Sequence, residues 1–250
     1  MKNIPCNLCG SDSKKLLFYK GEYRIVKCAN CDLAFVDPQP DEEEIKRFYS
    51  RHQTCYLGSY PKKEKSKLRD ANREVKRIRR LLKNARGISI LDIGCSCGFL
   101  LKAATDAGWD AYGVDISEME TEYAQRKYQV KAITANFPAK LPFKNSSFEV
   151  ITMFDLLEHL TDPLKGLQEC HRLLKDSGIL VIGTPDFGHR RARIEQEKWG
   201  HLKPPEHLFY FSITTLRMML EKAKFGYIGR FLRVPWKDGI KAVFIKQTRG

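Results

Sequence analysis

The 250-residue sequence predicts an α/β fold: a mostly parallel sheet covered by helices, with a small cysteine-bearing module in front. Three observations carry this. From Ile88 onward, short β-branched or apolar runs alternate with helical patterns, as in βαβ units whose sheet is buried on both faces. In residues 1–40, cysteines punctuate the chain until "DPQP", where two prolines and an aspartate stop regular structure. Between these parts, residues 41–86 read as helices. The expected units are therefore a module over 1–40, a helical linker over 41–86 and a main domain over 87–250.

In the module, Cys6 and Cys9, then Cys28 and Cys31, form two C-x2-C pairs with zinc-ribbon spacing. Four thiolates satisfy a tetrahedral Zn²⁺ and leave no open position for chemistry, so the expected metal is structural. A segment this short builds little core, and metal binding would supply much of its folding free energy. The linker opens at Asp41, a candidate N-cap with Glu44 in the capping-box position. Between Lys62 and Arg86, Leu68, Ala71, Val75, Ile78 and Leu82 recur at three- and four-residue steps. They make one apolar stripe on a basic helix. The rest of that helix is either an ordinary solvated face or a phosphate-binding surface.

The main domain offers "ISILDIG", "DAYGVDI", "YQVKAIT", "FEVITMFD" and "GILVIGTP" as strands, with helices near 98–107, 117–127 and 162–174. A helix near 213–224 leads into "YIGRFLRV" and "GIKAVFIKQ", joined by "PWKDG". That turn is too short for a parallel crossover, so the last two strands should pair antiparallel.

The run "LDIGCSCGFL" places Gly94 and Gly98 in a turn between strand and helix, the helix starting at about Cys97. Glycine suits a backbone that takes positive φ or lies against a ligand, and helix-start amides face that ligand. The G-x-G-x-x-G of dinucleotide folds is absent. About twenty residues on, Asp115 ends the next strand, where a carboxylate accepts ribose hydroxyls. Together these point to an adenosine-containing cofactor without a pyrophosphate.

Here the chain resembles the class I S-adenosylmethionine-dependent methyltransferases. The likeness spans roughly 86–250 and rests on "LDIGCSCG", "GVDIS", "ANFPAKLPFKNSSFEVITMFDLLEHLTDP", "LLKDSGILVIGTP" and "KPPEHLFYFSITTLRMMLEKAKF". With the ribbon in front, the whole chain looks like methyltransferases that carry an N-terminal zinc module. The resemblance implies a Rossmann-like seven-stranded sheet of order 3-2-1-4-5-7-6 with the seventh strand antiparallel. It implies that Asp92, Gly94 and Gly98 surround the methionine part of the cofactor, that Ser96 and Phe99 also contact the cofactor, and that Asp115 takes the ribose hydroxyls. It also puts Asn136 and Phe137 by the adenine and Asp155 at the sulfonium end, with Ile116 among the cofactor-binding positions. Ser96 departs from the family, standing where glycine is usual, and Asn136 stands where an acidic residue is common.

Methyl transfer is an in-line displacement that needs alignment and, for some acceptors, a base. "DLLEHL" follows the fourth strand, so Glu158, His159 and the more distant His207 are the catalytic candidates, His159 first because imidazole titrates near neutrality. Asp155, Glu158 and His159 also resemble the E-x-x-E-H cluster of metal-dependent O-methyltransferases, with aspartate for the first glutamate. By that likeness they would hold a divalent cation, with His207 as a fourth ligand. The reading carried forward is the simpler one, without a catalytic metal. Residues 199–212, dense in aromatics and histidine, read equally as a lid over substrate or as packing under a long connection.

Hydrophobic content of 42% with 30% charged residues excludes wholesale disorder. The longest apolar runs are too short to span a bilayer and the first residues lack a signal-peptide stretch, so the expectation is a cytoplasmic protein with no membrane insertion. Cys95 and Cys97 are then expected reduced and zinc-free. A net charge of +14 suits an anionic small-molecule substrate, with RNA as the alternative partner. The oligomeric state is left open.

Overall fold

The computed structural model describes residues 1–83, 87–230 and 238–247, with side chains except at 42, 46, 48–62 and 230. In the cysteine module, β1 (Lys14–Lys20), β2 (Tyr23–Cys28) and β3 (Ala34–Val36) form an antiparallel meander. The linker is a single 40-residue helix, α1 (Glu42–Leu81), where the sequence suggests more than one. Its capping box forms: the Glu44 amide donates to Asp41 Oδ1 and the Asp41 amide to Glu44 Oε2, both at 2.9 Å. The apolar stripe is its docking face, with Ala71, Val75 and Ile78 buried and Leu68 and Leu82 packed beside them. Buried Glu74 accepts from Arg77 at 2.9 Å and Lys241 at 2.7 Å, tying the helix to the end of the chain.

The main domain continues with β4 (Ser89–Ile93), α2 (Phe99–Asp106), β5 (Asp110–Asp115), α3 (Glu118–Tyr128), β6 (Lys131–Thr134), β7 (Phe148–Phe154), α4 (Pro163–Leu173) and β8 (Leu174–Pro185). After these come α5 (Arg190–Glu195), β9 (Phe209–Tyr210), α6 (Ile213–Lys222), β10 (Phe225–Arg230) and β11 (Gly239–Lys246). Seven strands lie in the order β10-β11-β8-β7-β4-β5-β6. Counted along the domain without β9, that is the expected 3-2-1-4-5-7-6, with β11 antiparallel to both neighbours. Residues 231–237, which hold most of the "PWKDG" connection, lie outside the described residues.

Strand alternation divides the core. Ile90, Val150, Val181 and Val243 face the layer holding α1 and α2, while Leu91, Ile151, Leu180 and Phe244 face the other. Burial on both faces is why these strands read as continuous apolar runs. Among the described residues no helix is long and apolar enough to cross a membrane.

The aromatic segment joins the module to the domain. β9 pairs antiparallel with β3, completing a sheet of order β1-β2-β3-β9, and the Phe35 and Phe209 rings stack 6.0 Å apart. Leu208, Phe209 and Phe211 are all but inaccessible to solvent, so residues 207–211 resolve to packing.

Candidate functional site

The cofactor turn follows β4. Gly94, Ser96 and Gly98 all take left-handed conformations, with φ of +80°, +46° and +76°. At Gly98, which caps α2, a Cβ would stand 2.7 Å from Ala124 Cβ, so glycine alone fits. At Ser96 the left-handed backbone costs about 1–2 kcal/mol. Two contacts hold it: its amide donates to Asp115 Oδ2 at 2.8 Å, and its side chain hydrogen-bonds Glu120. Asp115 Oδ1 accepts the Ser117 amide at 3.0 Å, so backbone amides fix the carboxylate from both sides. Beside it Ile116 is left open to solvent. Asn136 is exposed, while Phe137 is half-buried against Gly166. Phe99 is buried at the first position of α2.

Two buried carboxyls, Asp92 and Glu120, and the partly buried Asp115 surround this turn. Burial pushes Asp92 up to about 7, opposed by the Thr152 hydroxyl that donates to Asp92 Oδ1 at 2.6 Å, and aided by Asp115. Burial raises Asp115 as well, against the amides that bind it. Glu120 is pushed up to about 7 by burial and by Asp115. Clustered buried acids of this kind are stabilised by a cation. With a glycine cradle, a ribose-competent carboxylate and an open apolar Ile116, they fit S-adenosylmethionine, which combines a ribose, an adenine and positive charge.

The cysteines that interrupt the turn are packing residues. Cys95 and Cys97 are buried with thiols pushed up by burial, Cys97 to about 12. Cys95 Sγ lies 2.7 Å from where a Cβ on Gly113 would stand, filling the space that glycine leaves. Cys6, Cys9, Cys28 and Cys31 instead gather with their sulfurs within 4.8 Å of one another, Cys6 and Cys31 at 3.4 Å and Cys9 and Cys28 at 3.4 Å. Zn–S bonds of about 2.3 Å in a tetrahedron separate sulfurs by about 3.8 Å. The donor set fits zinc.

A second centre lies past the end of β7. Asp155 turns the chain in a left-handed conformation, φ +49°, and stays exposed, while the 3-10 turn Leu157–His159 buries Glu158. Between them, Leu156 packs against Gly94, which puts this turn beside the cofactor cradle. Thr184 Oγ1 donates to Glu158 Oε2 at 2.9 Å; Glu158 Oε1 has no hydrogen-bond partner and stands 4.0 Å from His159 Nε2. Burial and Asp155 push Glu158 up to about 8. The His159 and His207 rings meet edge to face at 4.7 Å. Burial lowers His159, and burial with His159 and Lys203 nearby takes His207 down to about 3. His207 Nδ1 is buried without a partner. The donor atoms of Glu158, His159 and His207 lie within 4.8 Å of one another, as the sequence grouping has them. Asp155, in its exposed left-handed turn, is not among these close donors, but its charge acts on both Glu158 and His159.

Thr152, Thr184, Glu120 and Asn7 were not singled out from sequence. Glu120 had a signal, the S-x-x-E box of "SEME", which reads as a helix cap; Ser117 Oγ does accept the Glu120 amide, while the Glu120 side chain binds Ser96. The two threonines carry no such mark, because their partners are set by strand register.

A seven-stranded sheet of this order, with a glycine turn and an amide-held carboxylate at its carboxyl edge, is that of the class I methyltransferase type. Residues 64–228 match the family described as "Methyltransferase domain", and the chain belongs to that family. Among curated relatives, it is 30% identical over 107 residues to a ubiquinone biosynthesis O-methyltransferase of Actinobacillus pleuropneumoniae, a match covering 39% of this chain and 46% of the relative. It is 28% identical over 107 residues to a probable S-adenosylmethionine-dependent methyltransferase of Mycolicibacterium smegmatis, covering 43% and 42%. The chain thus spans under half the length of the curated relatives it matches. Among solved structures, the fold is shared with magnesium protoporphyrin IX methyltransferase from Synechocystis, solved with bound SAH (TM-score 0.63, 17% identity, 82% of this chain and 100% of that one). It is also shared with a TehB-like SAM-dependent methyltransferase from Corynebacterium glutamicum (TM-score 0.59, 17% identity, 79% and 100%).

Proposed function

We propose that this protein transfers the S-methyl group of S-adenosylmethionine to a small, anionic molecule such as a sugar, glycan or lipid precursor. The observation that carries the reading is the largely buried Glu158, His159 and His207 cluster, whose Glu158 lies two residues after the Leu156 that packs on the cofactor turn. Both imidazoles are held below their ordinary value and so are neutral near pH 7, the form that accepts a proton. His159, the more accessible of the two, takes the acceptor's proton as its oxygen attacks the methyl carbon in line. Glu158, held largely protonated, fixes the turn through Thr184, and His207 backs His159. The ubiquinone-pathway name of one relative supports an oxygen acceptor on a small molecule. One zinc held by Cys6, Cys9, Cys28 and Cys31 is structural in this reading.

A second reading is favoured by one observation. Glu158 Oε1 and His207 Nδ1 are buried and unpartnered, and with His159 they offer three donors to a divalent cation, which would polarise the acceptor oxygen as a Lewis acid. Metal analysis separates the two: one zinc per chain supports the base mechanism, and a second metal lost in His207→Ala supports the cation.

Calorimetry on the purified chain tests the whole proposal. S-adenosylmethionine should bind, Asp115→Ala should weaken binding by about tenfold or more, and His159→Ala should bind cofactor normally yet fail to methylate acceptor fractions. Absence of cofactor binding overturns the reading. RNA affinity falling steeply with salt would move the acceptor to RNA.

A further inference from the structure

The cysteine module grips both pieces of the Glu158, His159 and His207 cluster. From the first knuckle, Asn7 Nδ2 donates to Asp162 Oδ1 at 2.9 Å and Asn7 Oδ1 accepts the Leu164 amide at 3.0 Å, clamping the chain just past Glu158 and His159. After the second knuckle, the Val36 amide donates to the Leu208 carbonyl at 2.9 Å, and the Leu208 amide donates to the Glu158 carbonyl at 2.8 Å. His207 is thus held by the residue next to it, between β3 and the turn that carries Glu158. A zinc on the four sulfurs would join the two grips, since Cys6 and Cys9 flank Asn7 and Cys28 and Cys31 precede β3.

We propose that the cysteine module is a brace that sets the position of His207 relative to Glu158 and His159, with Asn7 as a positioning residue. The fold gives this role to a part of the chain that contributes no side chain to the cluster. The polar contacts are backbone groups and the Asn7 amide, which meets the Asp162 carboxylate, and the Phe35 ring stacks on Phe209 beside them, so the module acts on the cluster by holding its two pieces in place. The polar contacts of the cofactor cradle come from β4, β5 and α3 and include none of these bonds, and the cradle meets the gripped turn through Leu156 packing on Gly94. The role deepens the catalytic reading above and rests on it, but its test needs no acceptor.

The test uses the full chain, as Asn7→Ala and, separately, with its zinc removed by a chelator. Three readouts are taken: calorimetric affinity for S-adenosylmethionine, hydrogen exchange of the Leu208 and Tyr210 amides, and the nuclear Overhauser contact between the His159 and His207 rings. The expected result is affinity unchanged within about twofold, exchange at Leu208 faster by about tenfold or more, and loss of the ring contact. Asn7→Ala should keep its zinc, which separates the grip from the metal. Protection and ring contact that survive both treatments overturn the brace. So does cofactor affinity that falls in step with them, since the module would then support the whole fold. If His159→Ala still methylates while Asn7→Ala behaves as expected, the catalytic assignment fails and the brace stands.

Discussion

Replacing Asp92 with Asn should remove much of the pH dependence of cofactor binding. Burial raises the Asp92 carboxyl from 3.8 to about 7. A carboxyl raised on folding favours the folded chain below its ordinary value and costs stability as pH climbs through its folded one, because the folded state there holds the extra proton. A bound cation reverses that sign. It selects the ionised form, so apparent affinity scales with the ionised fraction. With a value of about 7, that fraction is about one half at pH 7 and about one hundredth at pH 5, so the Asp92 share alone weakens binding by about 50-fold across this range, or about 2 kcal/mol. Titration calorimetry at pH 5, 6 and 7, in two buffers of different ionisation enthalpy, reads both the affinity and the proton released on binding. The parent should release more protons as pH falls, and Asp92→Asn should lose that share while Glu120, also near 7, keeps its own. Equal affinity at pH 5 and pH 7 with no proton release would refute the reasoning.

Ser96→Gly relieves a left-handed backbone worth about 1–2 kcal/mol but gives up the bond to Glu120 and loosens the unfolded chain, so its urea midpoint should stay within about 1 kcal/mol of the parent. A larger drop would mean that the Glu120 contact outweighs the strain. Gly98→Ala combines strained φ with a 2.7 Å approach to Ala124 and should lose about 2–5 kcal/mol, together with cofactor binding, by thermal unfolding and calorimetry. Replacing Cys95 and Cys97 with alanine should leave zinc content unchanged by metal analysis and lower stability by about 1–3 kcal/mol, whereas Cys6→Ser should lose the metal.

The sheet was legible because burial on both faces leaves a mark in the sequence. "ILDI", "GILVIGT" and "VITMF" are apolar at successive positions, and only a strand sandwiched between helical layers needs that. The stripe from Leu68 to Leu82 was legible for a related reason: its spacing is that of one helix face, and one face is what packs. Length was harder to read, since nothing local says that separate helical signals in 41–86 fuse into one helix. β9 left no mark at all. It is two residues long, and its pairing with β3, more than 170 positions earlier, is fixed by the way the module docks.

The same distinction runs through the site. Gly94, Gly98 and Asp115 were readable because each answers a local demand, for positive φ, for a missing Cβ or for a carboxylate at a strand end. The grouping of His207 with Glu158 and His159 answers no local demand. It follows from the Leu208 backbone bridging β3 and the Glu158 turn, a pairing set by how the module docks. Protonation states lie further still from sequence. An imidazole is neutral at acid pH and a glutamate protonated near neutrality only because the surrounding chain excludes water, so substitutions that loosen β9 should return both groups toward their ordinary values while leaving the cradle's carboxyls raised. That asymmetry is measurable: a loosened β9 would change the pH profile of methyl transfer and leave that of cofactor binding as it was.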